Sequence, residues 1–178
     1  MRLPLAFMVM APALAGCASP PGFAVPPPTK TLVLEESLVG RVSGEGAFVN
    51  SITGGQTKFS VLIDGAWDGK VLTLVEDFTY EDGSTDRKTW RLTRTADGAY
   101  EGTREDVIGT AEVRQDGPGV RLDYYVTLTT GLGDIDVRFQ DLLYVNDDGM
   151  IANKAVVSKF GLRVGRVDIT MRPAPGSS

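Results

Sequence analysis

Two carboxylates in this sequence stand where a carboxylate can do more than stay soluble. Glu76 is flanked at two-residue spacing by Leu72, Leu74, Phe78 and Tyr80, and Asp141 by Phe139 and Leu143. In an extended chain residues two apart share a face, so each acid points where its large apolar neighbours point. A carboxylate turned into an interior is costly unless a cation or hydrogen-bond donors meet it. Lys88, Lys154 and Arg91 are the candidate cations. An apolar interior with a few fixed polar groups is what a small-ligand site needs, and a basic partner there would suit a fatty-acid carboxylate. The same acids admit two other readings: a buried charge network that fixes strand register, or an acid–base pair of the glycosidase kind.

A third reactive group is Cys17, the only cysteine, at the end of Leu14-Ala15-Gly16-Cys17. Met1–Gly16 carries Arg2, an apolar run from Leu3 to Ala15, and small residues before the cysteine. That arrangement looks like a secretory signal ending in a bacterial lipobox, where the chain is cut before the cysteine and acyl chains are added to it. The run falls short of the roughly 20 residues that span a bilayer. Ala18, in place of Asp, favours the periplasmic face of the outer membrane of a Gram-negative cell. Pro20, Pro21, Pro26, Pro27 and Pro28 follow. They favour an extended polyproline tether of roughly 30 Å at ~3.1 Å per residue. The expected organisation is a signal peptide over 1–16, a lipidated cysteine and tether over 17–30, a folded domain over 31–173 and a flexible tail over 174–178.

Absences narrow the chemistry. The 178 residues contain no histidine and carry a formal net charge of −5. Without histidine there is no Ser-His-Asp triad and no Cys-His dyad, and with Cys17 acylated there is no thiol nucleophile. Zinc, copper and haem sites lose their usual ligands. There is no basic tract for nucleic acid, no P-loop and no dinucleotide fingerprint. Asn146-Asp147-Asp148-Gly149 lacks the ligand spacing of a calcium loop and reads as a hairpin turn. No enzymatic activity, metal or cofactor is expected.

The elements that would position these groups are strands. Asp-Gly pairs at 64–65, 68–69, 82–83, 97–98, 116–117 and 148–149 punctuate the chain, and Asp-Gly suits tight hairpins that need positive φ. Between them apolar residues recur at period two, as in Phe59, Val61, Ile63; Val120, Leu122, Tyr124, Val126, Leu128; and Val167, Ile169, Met171. The pattern predicts about ten strands: 41–49, 57–64, 70–80, 87–95, 98–104, 108–116, 119–129, 134–145, 149–159 and 163–172. Residues 29–38 suit a short helix or a lead-in strand. Hairpin-linked strands pair antiparallel, and a long series tends to close, since closure removes exposed edges. The expected fold is all-β, a single up-and-down barrel of lipocalin or fatty-acid-binding type, with a two-sheet sandwich second. Charged outward positions such as Asp123 and Asp136 argue against a lipid-embedded barrel. A turn at Asp82-Gly83-Ser84 would set Leu74 opposite Leu92, Glu76 opposite Trp90 and Phe78 opposite Lys88.

An ordered set of short motifs runs from Phe59 to Val167. It includes Gly65-Ala66-Trp67-Asp68-Gly69, Leu74 to Gly83, Trp90-Arg91-Leu92, Tyr100-Glu101-Gly102, Asp106 to Ala111 and Lys159-Phe160-Gly161. On these the chain resembles the bacterial lipoprotein family known as domain of unknown function 3833. It departs from that pattern at Leu142, where Trp is expected, and at Lys88, where Arg is expected. The resemblance implies a periplasmic lipoprotein with a hint of fatty-acyl chemistry and no assigned activity.

The function expected is that of a lipid-anchored barrel holding an apolar, fatty-acyl-like ligand. Glu76, Phe78, Tyr80, Lys88, Trp90, Tyr124, Phe139 and Asp141 would line a cavity of roughly several hundred Å3. The alternative is a structural or interaction lipoprotein of the envelope with a filled core. Its partners would be the membrane, through the anchor, and that ligand, with no nucleic acid.

Overall fold

Strands form where the alternation places them. The computed structural model describes residues 30–130 and 133–174. The signal peptide, Cys17, the Pro-rich tether as far as residue 29, and tail residues 175–178 lie outside the described residues. The strands are β1 (Gly40–Asn50), β2 (Gln56–Trp67), β3 (Val71–Tyr80), β4 (Thr85–Arg94), β5 (Tyr100–Thr103), β6 (Val107–Asp116), β7 (Gly119–Thr130), β8 (Gly133–Val145), β9 (Ile151–Lys159) and β10 (Leu162–Pro173). Each pairs antiparallel with the next. β10 then returns to β1, from Val42↔Pro173 to Asn50↔Gly165, and closes one up-and-down barrel. The closing ladder decides for the barrel over the sandwich.

Three hairpins repeat one turn geometry. The Tyr80 amide donates to the Ser84 carbonyl and the Gly83 amide to the Tyr80 carbonyl, both at 2.9 Å, and the same bonds link Thr95 with Ala99 and Asn146 with Met150. Such a three-residue loop ends in a left-handed residue, and Gly83, Gly98 and Gly149 have φ of 83°, 84° and 77°. The loop after β3 therefore centres on Asp82. Glu76 faces Lys88, Leu74 faces Trp90 and Phe78 faces Asp86, two residues from the register expected above. A two-residue slip keeps every side chain on its expected face, so the inward set survives the correction.

Asp64-Gly65 is not a turn. It lies inside β2, and a Cβ on Gly65 would stand 1.7 Å from the Leu38 carbonyl oxygen. The glycine admits the segment that closes one end of the barrel. Of the stretch expected to be a short helix or a lead-in strand, the described residues 30–38 form α1 (Leu34–Ser37), the helical alternative. Leu32, Leu34 and Leu38 are 0, 2 and 3 % exposed, and each contributes up to roughly 1.5–3 kcal/mol of apolar burial. The Leu32 amide donates to the Pro118 carbonyl at 2.8 Å, while Glu35 accepts from the Tyr100 hydroxyl and pairs with Arg94. Beneath the plug, Leu72, Leu92, Val113, Leu122, Leu143 and Met171 fill the barrel.

The outer wall carries cross-strand ion pairs and, on β8 and β9, an apolar cluster of Leu142, Tyr144 and Ala152. Arg41–Asp64, Arg87–Asp77 and Arg138–Asp123 pair across neighbouring strands, unlike the apolar band of a membrane barrel. No helix among the described residues is long and apolar enough to cross a membrane. Ala174, assigned above to the tail, belongs to the barrel: it is 8 % exposed and its amide donates to the Arg41 carbonyl at 2.8 Å.

Gly65→Ala should displace the plug. The expected loss is at least about 2–3 kcal/mol, read as a lower midpoint in denaturant unfolding, while far-UV circular dichroism stays that of a β-barrel.

Candidate functional site

The end opposite α1 is open. Inside it lies a cavity of about 690 Å3, within the ~300–1,000 Å3 span of small-ligand sites. Its upper wall is aromatic because inward positions of β1, β2 and β3 carry Phe48, Phe59, Phe78 and Tyr80. Phe59 meets Phe78 edge-on with ring centroids 5.6 Å apart, and Phe78 stacks on Tyr80 at 6.4 Å. All eight residues singled out in the sequence line this one cavity: Glu76, Phe78, Tyr80, Lys88, Trp90, Tyr124, Phe139 and Asp141.

Two of the three cations expected to meet the acids are elsewhere. Lys154 stands on the outer wall and reaches Asp168 at 3.5 Å. Arg91 is exposed beside Thr73, on the face opposite to Trp90. Lys88 does point inward, with its ammonium 3.1 Å from Asp86 and 3.5 Å from Asp106.

The principal cation is Arg104, which the sequence reading missed. Its Nε is 2.7 Å from Asp106 Oδ1 and its Nη1 4.0 Å from Glu76 Oε2. The guanidinium carbon lies 4.7 Å from the Trp90 ring centroid and 5.5 Å from that of Tyr124. A desolvated guanidinium over aromatic faces gains up to about 2 kcal/mol. Its signal was parity: Arg104 continues the alternation of Tyr100 and Gly102, both buried. Gly102 makes the arrangement possible, since a Cβ there would approach Trp90 Cζ3 to 3.1 Å and Leu92 Cδ2 to 2.9 Å.

Asp141 forms the other side of the floor. It is 5 % exposed. Its Oδ2 accepts from the Tyr124 hydroxyl at 3.3 Å and from Asn153 Nδ2 at 3.2 Å. Tyr124 is in turn clamped between Trp90, edge-on at 5.1 Å, and Phe139, stacked at 5.4 Å. Burial pushes the Glu76 carboxyl up to about 7; Arg104 opposes this, and the charges of Asp141, Asp106 and Glu105 add to it. Burial likewise raises Asp141 to about 6, against the hydrogen bond from Asn153, the charge of Arg104 and the hydrogen bond from Tyr124. Both carboxyls thus hold their protons to higher pH than free side chains do, Glu76 more so than Asp141.

The chain belongs to the family described as Protein of unknown function (DUF3833), whose pattern matches residues 11–173. No curated protein matches it. Among solved structures it is similar to one described as "Structure of a redesigned beta barrel, mFAP0, bound to DFHBI", at 13 % identity and a TM-score of 0.38, over 76 % of this chain and 97 % of that one. The continuous ladder from β1 round to β10 makes the fold a closed barrel.

Raised carboxyl pKa values make stability depend on pH. Between about 4 and 7 the folded protein keeps protons on Glu76 and Asp141 that the unfolded chain has lost, so stability is greatest at the acid end and falls as pH rises. Exposed Asp77, lowered by its hydrogen bond from Arg87, acts with the opposite sign and only at more acid pH. Glu76→Gln and Asp141→Asn should each flatten the fall by on the order of a few kcal/mol, measured as denaturant midpoints from pH 4 to pH 8.

Proposed function

We propose that this protein is a lipoprotein of the Gram-negative envelope, anchored through Cys17 at the periplasmic face of the outer membrane, whose barrel takes an apolar, acyl-chain ligand through its open end. The observation that carries the ligand reading is the cavity of about 690 Å3, aromatic at the mouth and polar at the floor. A purely structural barrel would fill that space, whereas under α1 only a small space of about 60 Å3 is left among buried apolar side chains. Glu76 lies four residues in from Tyr80, about 13 Å along β3 at ~3.3 Å per residue, so a chain entering head first buries most of its length. Apolar contact with Phe48, Phe59, Phe78 and Leu128 supplies the affinity, at roughly 25 cal/mol per Å2 removed from water. The anchor rests on Leu14-Ala15-Gly16-Cys17. One acyl chain binds a membrane only marginally, so the several chains of a bacterial lipoprotein would hold it stably.

The full chain carrying Cys17→Ser, exported from a Gram-negative host, should copurify with an organic-extractable single-chain lipid detectable by mass spectrometry. Trp90 fluorescence should change on titration with that lipid. Val167→Phe, which fills the cavity from β10, should weaken binding at least tenfold without changing the circular dichroism. An extract free of lipid, with unchanged fluorescence, would favour the envelope-scaffold reading. The wild-type chain should incorporate an alkynyl palmitate in the same host, and Cys17→Ser should abolish the label.

A further inference from the structure

We propose that the cavity floor selects a head group that donates hydrogen bonds, a hydroxyl or a protonated amine, and disfavours a free carboxylate. The proposal rests on the ligand-binding reading above and names the ligand's polar end. It reverses the simplest expectation from the sequence, in which a basic residue near Glu76 would hold a fatty-acid carboxylate.

The cations of the cavity are already engaged. The side chains that could bear charge there are Glu76, Asp86, Asp106, Asp141, Lys88 and Arg104, acids outnumbering bases. Arg104 gives Nε and Nη2 to Asp106 at 2.7 and 3.4 Å, has Nη1 4.0 Å from Glu76, and lies against the rings of Trp90 and Tyr124. Lys88 sits between Asp86 and Asp106. A carboxylate head would have to displace an existing partner and would add a negative charge to an acid-rich, poorly solvated space.

Acceptors, by contrast, are in surplus. Below the cavity floor a small space of about 60 Å3 opens among apolar side chains, and its polar lining is Glu76, Asp141 and Asn153. The two spaces share those three residues together with Phe78, Trp90 and Ile169. Asp141 Oδ1 and Asn153 Oδ1 are buried without a hydrogen-bond partner. The Asn153 amide nitrogen is already spent on Asp141 Oδ2. Buried acceptors without donors are costly, and a head group that brings donors, met by a turn of the Asp141 or Asn153 side chain toward the space both line, relieves that cost on binding. A hydroxyl supplies one donor and an ammonium three, and the ammonium also meets acid-rich surroundings. At pH 8, above the value of about 6 to which burial raises it, Asp141 is ionised and brings no donor of its own.

The test is a comparison of dodecanol, dodecylamine and dodecanoate as ligands of the full Cys17→Ser chain at pH 8, followed by Trp90 fluorescence and by calorimetry. The alcohol or the amine should bind at least tenfold more tightly than dodecanoate. Asn153→Leu should reduce that preference at least threefold. Glu76→Gln should weaken the amine more than the alcohol, which separates attraction to charge from hydrogen bonding. Circular dichroism of both variants confirms the fold, and Asn153→Leu serves if Glu76→Gln proves unstable. Dodecanoate binding as tightly as the others overturns the head-group assignment and leaves the ligand reading standing. No binding by any of the three overturns both.

Discussion

Closure of β1 onto β10 is the constraint on which everything else hangs. Once Val42 pairs with Pro173 and Asn50 with Gly165, no strand edge remains to find a partner elsewhere, and every inward side chain shares one enclosed space. Closure also fixes how much space there is. Inward glycines at 44 and 46 on β1 let Met171, Val61 and Phe59 lie close against the wall. At one end α1 plugs the barrel and leaves only a small space of about 60 Å3 beneath it. At the other nothing among the described residues does, and the difference between those ends is the difference between core and cavity.

Between them lies a layer of charge, and it divides the barrel. Arg104, held by Asp106 and two aromatic faces, is the centre of that layer. Glu76 and Asp141 answer it from β3 and β8. Burying such groups is seldom the cheapest way to build a core, since apolar replacements of similar volume often cost nothing. Retaining acids whose ionisation is suppressed, beside a cavity, is the arrangement met where a protein must recognise polar chemistry in an apolar setting. The same layer links β3, β4 and the β5–β6 connection through the contacts of Arg104 with Glu76 and Asp106 and of Lys88 with Asp106.

Legibility differed from residue to residue for identifiable reasons. Glu76 and Asp141 were visible as inward because alternation is local, and the two-residue error in the β3–β4 register left their faces unchanged. Their partners were not visible. Lys154 and Arg91 were plausible in sequence and stand outside, whereas Arg104 sits just past a strand of four residues, too short for its rhythm to stand out. Gly65 is the other instructive case. Its Asp-Gly context reads as a turn, and only the Leu38 carbonyl, 27 positions earlier in the chain, explains why no Cβ is allowed there.

What the sequence determined alone was the rhythm: extended segments of period two, broken by Gly-bearing hairpins, and hence an antiparallel series with known inner and outer faces. Those are properties of neighbours along one chain, and neighbours suffice to set them. The tertiary structure decided which end was sealed, which cation met the buried acids, and that space was left between Phe59, Tyr124 and Ile169. Each of those depends on side chains from strands far apart in sequence meeting across a closed wall, and a volume left empty has no residue of its own to announce it.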